Sequence, residues 1–375
     1  MTGWTGLTWD HPRGYRALRA ATSHPDAPAC DLRWDIQSLE GFESAPIAET
    51  ARRYDLVVLD HPHIGAAIET GALRPLDELF APAELAAWRA ESVGPSVRSY
   101  EMAGRLWAVP LDAATQVSVR SDIGIPVPDT WAQAVELSGE VASAVPTSGP
   151  HLFLTLCGIA VADGASPGED DHFLGEAEFG AAVETLRHFV PDRPHTGNDN
   201  PIALLERMTA ADGPRYCPHV YGYVNYTRRP RPLLFGDAPR GQAGRRGSVL
   251  GGTGIAFSGR RTPDAALLDH IRWLMSTDAQ CRFVTAEDGQ PGLRTAWEDD
   301  TVNAGSRDFF RATRATIEDA WVRPRHAGAV AFQNAAAAAL RACLFVHYDI
   351  RRLTREVNES YEISLRPATT ARTVS

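Results

Sequence analysis

The sequence contains no lysine, and all 37 of its basic residues are arginines. Without lysine the protein has no side-chain amine that could form a Schiff base with pyridoxal phosphate. It also lacks the lysine with which phosphate-binding loops contact a nucleotide, and the lysine with which protein kinases position ATP. The composition therefore excludes these classes of enzyme.

Cysteine is scarce, with five residues, and no two of them have the C-x-x-C spacing of a zinc knuckle or a redox motif. No stretch approaches the ~20 apolar residues of a membrane helix. The N-terminal segment has neither a basic leader nor the apolar core of a secretion signal. We therefore expect no membrane insertion. We expect a cytoplasmic protein as the sequence is written, or an extracytoplasmic one if a leader has been omitted.

Positive charge is also in short supply, because 47 acidic residues face 37 arginines and the net charge is −10. Binding to nucleic acid depends on clustered cations that displace counterions from phosphates, so we expect no nucleic-acid partner. With 375 residues, the chain is long enough for two domains or one large α/β unit, since a domain has ~100–200 residues.

Apolar runs and amphipathic segments alternate along the first part of the chain. Strands are predicted at residues 7–9, 32–36 and 54–59, and helices at residues 14–22, 45–53 and 64–70. This alternation predicts a parallel sheet that is covered by helices. Further along, the pattern predicts two separate strands at residues 104–112 and 116–121, and a glycine-rich strand at residues 248–258.

The tripeptide Asp-His-Pro occurs twice, at residues 10–12 and 60–62, each time between an apolar strand and a helix. Ligands of open parallel sheets bind beyond the carboxyl ends of the strands. We therefore expect the two turns to meet across one gap between the halves of the molecule, where aspartate and histidine could act as acid and base. The alternative is that these residues merely begin the helices. A metal site is not favoured, because no H-x-x-x-H or H-E-x-x-H spacing is present.

Aromatic residues are the other candidates for ligand binding. Trp9, Tyr221 and Tyr223 lie beside turns, where flat rings can stack on sugars or on planar ligands. Cys217 and the nearby His219 could act as nucleophile and base, but a buried thiol is the simpler interpretation.

Several segments, in their order and spacing, resemble the extracellular solute-binding proteins of ABC transporters, and most closely their carbohydrate-binding branch. These segments are residues 54–60, 71–77, 104–112, 115–120, 128–131, 251–258, 273–280, 289–291, 323–325 and 332–333. The resemblance implies an α/β, two-lobed periplasmic-binding-protein-like fold. Each lobe would be a mixed, mostly parallel sheet flanked by helices, with the ligand cleft between the lobes.

The resemblance also implies a discontinuous division of the chain. Lobe one would hold residues 1–112 and 251–300, and lobe two residues 117–248 and 305–375, with hinge crossings near residues 112–117, 248–251 and 300–305. The lobes would close on a small polar ligand, such as a sugar or another polyhydroxylated or planar metabolite. The residues expected to bind it are Trp9, Asp10, His11, Asp60, His61, Asp112, Gln116, Tyr221, Tyr223, Gly252, Gln290 and Arg323.

Two other functions remain open at this point. A cytoplasmic enzyme with the same fold would use Asp10, His11, Asp60 and His61 for general acid–base catalysis on a small metabolite. A ligand-responsive regulator would present its lobes to a partner protein. We expect no cofactor and no metal, and an ABC permease as partner only if the protein is exported.

Overall fold

The computed structural model of the protein describes residues 3–169, 172–191, 199–346 and 349–366. The strands are β1 (Trp4–Trp9), β2 (Leu32–Gln37), β3 (Leu56–Leu59), β4 (Leu73–Arg74), β5 (Glu101–Met102), β6 (Arg105–Leu106), β7 (Val109–Arg120), β8 (Tyr216–Tyr221), β9 (Leu234–Gly236) and β10 (Leu250–Ser258).

The α-helices fall into an early and a late group. The early ones are α1 (Pro12–Ala21), α2 (Leu39–Ser44), α3 (Ile47–Arg53), α4 (Ile64–Glu69), α5 (Pro82–Glu91), α6 (Trp131–Ser138), α7 (His151–Ala162), α8 (Glu176–Arg187) and α9 (Pro201–Thr209). The late ones are α10 (Ala265–Leu274), α11 (Arg294–Glu298), α12 (Asp300–Gly305), α13 (Phe309–Glu318), α14 (Ala329–Phe345) and α15 (Ile350–Ser364).

The first three strands are parallel neighbours in the main sheet. Strand β1 pairs with β2 along its whole length and with β3 on its other side. Helix α1 connects β1 to β2, and α2 and α3 connect β2 to β3. Every residue of β3 is buried, as expected for a parallel strand that helices cover on both faces. The predicted alternation of strands and helices is confirmed here.

Strand β10 comes from much later in the chain and lies beside β3. It pairs antiparallel with β3, β4 and β7, and so joins the start of the chain to its middle. We call the half of the molecule that is built on β1–β4, β10 and residues 109–115 of β7 lobe one.

Strand β7 serves both halves of the molecule. Its residues 109–115 pair with β10, and its residues 116–120 pair with β8 and β9. We call the half that is built on residues 116–120, β8, β9 and the helices packed on them lobe two. Strand β7 thus changes its pairing partner between residues 115 and 116, which is within the hinge crossing expected near residues 112–117. The boundaries of the lobes stay a prediction.

The expectation of two separate strands at residues 104–112 and 116–121 is wrong. Strand β6 is short, and β7 then continues without interruption through all 12 of its residues, which are buried up to Val119. A strand that is buried on both faces has no polar alternation to mark its course or its end.

Helix α7 lies at the centre of lobe two, and all 12 of its residues are buried. A helix that is apolar on every side must be surrounded by protein. It packs against α8 and α14, while α13 packs on β7 and β9. Among the residues that the structure describes, no helix has the length and apolar character needed to span a bilayer.

Candidate functional site

A cleft that is partly open to solvent lies between the lobes, at the carboxyl ends of β1 and β3. Lobe one lines it with side chains from the end of β1, from α1, from α2 and from the second Asp-His-Pro turn with the residue after it, namely Trp9, Arg13, Leu39, Phe42, Glu43, Asp60, Pro62 and His63. Lobe two and the segment around α14 contribute Pro150, His151, Leu154, Pro201, Tyr221, Tyr223, Arg323, Val330 and Gln333, and β10 adds Gly251, Gly252 and Thr253.

Arg13 lines the cleft and forms a buried ion pair with Asp112. Its guanidinium donates from Nε to Asp112 Oδ1 (2.7 Å) and from Nη2 to Asp112 Oδ2 (2.5 Å). The third contact, from Nη1 to the carbonyl oxygen of Gly222 (3.1 Å), reaches the end of β8 in lobe two. The guanidinium also lies over the ring of Tyr223 at 4.7 Å. Arg13 therefore joins the lobes, and both carboxylate oxygens of Asp112 are already occupied.

Asp60 and Arg323 form a second ion pair across the cleft. Asp60 follows β3, and its Oδ1 accepts from the backbone of His61 (2.9 Å) while its Oδ2 accepts from Arg323 Nη2 (2.5 Å). Burial would raise the pKa of the Asp60 carboxyl, but Arg323 and these hydrogen bonds hold that pKa well below its usual range. Arg323 also donates from Nη1 to Gln333 Oε1 (3.1 Å). The charge of Arg323 is therefore neutralised within the cleft.

The two histidines of the repeated tripeptide lie behind the cleft wall. The ring of His61 is fully buried, and burial lowers its pKa to about 4. His11 begins α1 by accepting a hydrogen bond from the backbone of Arg13 (3.2 Å) and stacks on Trp9, and burial lowers its pKa to about 3. Asp10 is exposed to solvent. None of these side chains contributes to the lining of the cleft.

The expectation that the two turns meet across the gap between the lobes is therefore wrong in its geometry. Strands β1 and β3 are direct neighbours in lobe one, so the turns that follow them lie side by side on the same wall. Residues such as Arg323 and His151 occupy the opposite wall instead.

The other predicted residues divide into two groups. Tyr221, Tyr223 and Gly252 line the cleft. Gln116 and Gln290 lie inside the protein: Gln116 donates to Thr155 Oγ1, and Gln290 accepts from the backbone of Val224 and donates to that of Ala113. Gln290 thus holds strands and turns together.

Gly252 allows the backbone of β10 to approach β7 closely. Its φ is +93°, and an added Cβ would lie 2.3 Å from the carbonyl oxygen of Asp112. Only glycine can adopt this conformation in this space.

Several buried polar atoms of the cleft have no hydrogen-bond partner in the described part of the chain. They are Nε1 of Trp9, the hydroxyl of Tyr221, Nδ1 of His151 and Nε of Arg323. Buried polar atoms are rarely left unpaired in proteins, so atoms of this kind in a cleft indicate a polar ligand or ordered water.

Glu43 is the residue of the cleft that sequence reasoning missed most clearly. Burial and the charge of Asp60 raise its pKa to about 7. Its Oε1 lies 3.6 Å from Nε2 of His151, whose pKa burial lowers to about 3. Arg13, His151 and Gln333 were also missed. No sequence pattern links these residues, because they come from helices and turns that only the fold brings together.

Cys217 takes no part in the cleft. It is fully buried in β8, and burial raises the pKa of its thiol. The simpler interpretation, a buried thiol, agrees with this position. In the described residues there is also no group of three or more histidine, cysteine, aspartate or glutamate side chains placed to hold a metal ion.

Comparison with solved structures finds the same architecture in proteins of known ligand. A solute-binding protein from Agrobacterium radiobacter in complex with ribitol has a TM-score of 0.79 and 19% identity, over 96% of this chain and 98% of that one. The fold is that of a solute-binding protein of ABC transporters. The GacH receptor of Streptomyces glaucescens, solved unliganded and with acarbose, gives 0.77 and 14%, over 97% and 99%.

Maltose-bound MalE3 of T. maritima shares the solute-binding-protein fold at a TM-score of 0.76 and 15% identity, over 96% of this chain and 99% of that one. No protein-family model and no curated protein matches the sequence. The resemblance that the sequence motifs indicated is thus confirmed at the level of the fold.

Proposed function

We propose that this protein binds a small polyhydroxylated ligand between its lobes and closes around it by a hinge motion. The observation that carries this proposal is the composition of the cleft, which places aromatic rings beside buried polar atoms without partners. Rings stack on the apolar faces of sugars, while unpaired donors and acceptors bind their hydroxyl groups. Solute-binding proteins of the same fold bind ribitol, maltose and α-D-tagatose, which supports the proposal.

The contacts that cross the cleft support the proposed hinge motion. Arg13 bonds to Gly222, and Asp60 bonds to Arg323. Opening the lobes exposes these groups to water, and closing them restores the bonds around the ligand. A ligand that contacts both walls therefore favours the closed form, because only that form offers all of its partners.

The hydroxyl of Tyr221 provides the most direct test. Tyr221→Phe removes a single buried oxygen that has no protein partner, so the affinity for a ligand that uses it should fall about 5- to 20-fold, equivalent to about 1–2 kcal/mol. Calorimetric titration with ribitol, mannitol, tagatose and maltose measures the loss. X-ray scattering of the same samples should show compaction on binding.

Tyr216→Phe is the matched control. The Tyr216 hydroxyl is also buried without a partner and lies on the same strand, but outside the cleft. This variant should bind as the parent does, and both variants should fold. Equal affinities for the Tyr221 and Tyr216 variants, or no binding of any of these polyols and sugars by the parent, would contradict the proposal.

The enzyme alternative gains no support from the site. His11 and His61 are weak bases at these pKa values and lie behind the cleft wall. Under the binding proposal, no candidate ligand should be consumed, which product analysis by mass spectrometry after prolonged incubation checks.

Delivery of the ligand to an ABC permease is a further part of the proposal, and it applies if the protein lies outside the cytoplasm. Fractionation of the source cells, followed by detection of the protein with an antibody, tests that location. Detection only in the cytoplasmic fraction would rule out a permease as partner.

A further inference from the structure

The charges of the cleft are paired with one exception in the described part of the chain. Arg13 forms an ion pair with Asp112, and Arg323 forms one with Asp60. Glu43 projects from α2 into the same cleft and has no arginine within bonding distance. The lining therefore carries one carboxylate that the protein itself does not neutralise.

The surroundings of Glu43 make a charged carboxylate costly. His151, at 3.6 Å, is uncharged at neutral pH because burial lowers its pKa to about 3. Burial raises the pKa of Glu43, Asp60 and Glu40 raise it further, and the attraction of Arg323 only partly offsets them. His63, which packs against the backbone of Glu43, is also buried with a lowered pKa. A cation from outside would stabilise the ionised form here.

A second observation shows what else such a ligand must carry. His151 and Arg323 are 6% exposed, and each has a ring or guanidinium nitrogen in the cleft without a partner. Arg323 Nε can only donate a hydrogen bond, so it needs an oxygen acceptor. The opposite wall thus offers hydrogen bonds to hydroxyl oxygens, while α2 offers a carboxylate.

We propose that the ligand is a polyol that bears a protonated amine, as in an amino sugar or an aminocyclitol, and that Glu43 binds the ammonium group. This inference rests on the proposed function and specifies the class of ligand. A charge-assisted hydrogen bond inside a closed cleft is stronger than one in water. Phe42 and Tyr221 line the same space, and their ring faces attract a cation further.

The experiment compares matched pairs of ligands that differ only in one amine: glucose with glucosamine, galactose with galactosamine, mannose with mannosamine, and inositol with an amino-inositol. Calorimetric titration at pH 7.4, where the carboxylate is largely ionised and the hexosamine amines still keep their proton, should show the amine binding at least 10-fold more tightly than its neutral partner in the best-binding pair. At pH 5.5 this ratio should fall towards one, because Glu43, with a pKa of about 7, is then protonated.

Glu43→Gln removes the charge and keeps the shape of the side chain, so the amine and its neutral partner should then bind equally. Glu49→Gln, on the next helix α3, exposed and outside the cleft, is the control and should keep the preference. Thermal melts establish that both variants are folded. Tighter binding of neutral sugars by the parent, or a preference that survives Glu43→Gln, overturns the inference and leaves the proposed function intact. Failure of every compound to bind overturns both.

Discussion

The two Asp-His-Pro turns have the same sequence, and each follows one of two neighbouring parallel strands at the same edge of the sheet. They nevertheless present different residues to the cleft. After β1, Asp10 points to solvent, His11 begins the helix, and Arg13 enters the cleft. After β3, Asp60 itself begins the helical turn and lines the cleft beside Arg323.

This difference shows that a local motif fixes the backbone but not the role of its side chains. In both turns a proline starts the helix, and a polar side chain accepts the first free N–H group. The capping residue shifts from histidine in the first turn to aspartate in the second. Because the cap differs, Asp60 meets an arginine from the other lobe and Asp10 does not. The following predictions test this difference between the two turns.

The largest difference in the free energy of unfolding is expected between alanine variants of the two aspartates, Asp60 and Asp10. Asp60→Ala leaves the guanidinium of Arg323 buried without its counter-ion, which should lower the free energy of unfolding by about 3–5 kcal/mol. Asp10→Ala should have little effect, since the Asp10 side chain is exposed. Urea denaturation measures both. The double variant Asp60→Ala/Arg323→Met should recover part of the loss, and equal losses for the two aspartates would contradict the assignment.

The pH dependence of stability should report on the buried histidine of the second turn. The pKa of His61 falls from 6.5 to about 4 on folding, so its contribution to stability is complete above pH 6.5. That contribution is lost as the pH falls towards 4, because the unfolded chain then binds the proton first. The loss is on the order of 3 kcal/mol.

His61→Leu should therefore flatten the decline in unfolding free energy between pH 6.5 and pH 4, as measured by urea titrations at several pH values. His188→Leu changes an exposed histidine at the end of α8 and should leave the slope unchanged. If the His61 variant kept the slope of the parent, this histidine would not be the buried neutral group that the structure places there.

The smallest loss of stability is expected from changing His11, which caps helix α1 in the first turn. His11→Ala removes the side chain that accepts from the backbone of Arg13, which should cost about 1 kcal/mol of unfolding free energy. His11→Asn can accept the same bond and should be more stable than the alanine variant. Equal stabilities of the two variants would mean that His11 acts only by packing on Trp9.

The sequence predicted much of the scaffold of lobe one and part of its cleft wall. The strands at residues 32–36 and 54–59, the helices after them and both turns were found from apolar periodicity and proline, which act within a few residues. Trp9, Tyr221 and Tyr223 were identified as ligand candidates because they lie beside turns, and Asp60 because it follows a strand. Glu43 and His151 were not found, because each lies on a helix whose own pattern gives no sign of its neighbour.

By itself, the sequence determined where the first strands of lobe one end and their helices begin, and so brought both turns to one edge of the sheet. Only the tertiary structure decided which charges meet there. Arg13 reaches Asp112 across 99 positions of the chain, and Arg323 reaches Asp60 across 263. Local patterns depend on neighbouring residues, whereas the pairing of buried charges depends on the packing of distant segments, and that packing leaves Glu43 as the unpaired carboxylate of the cleft.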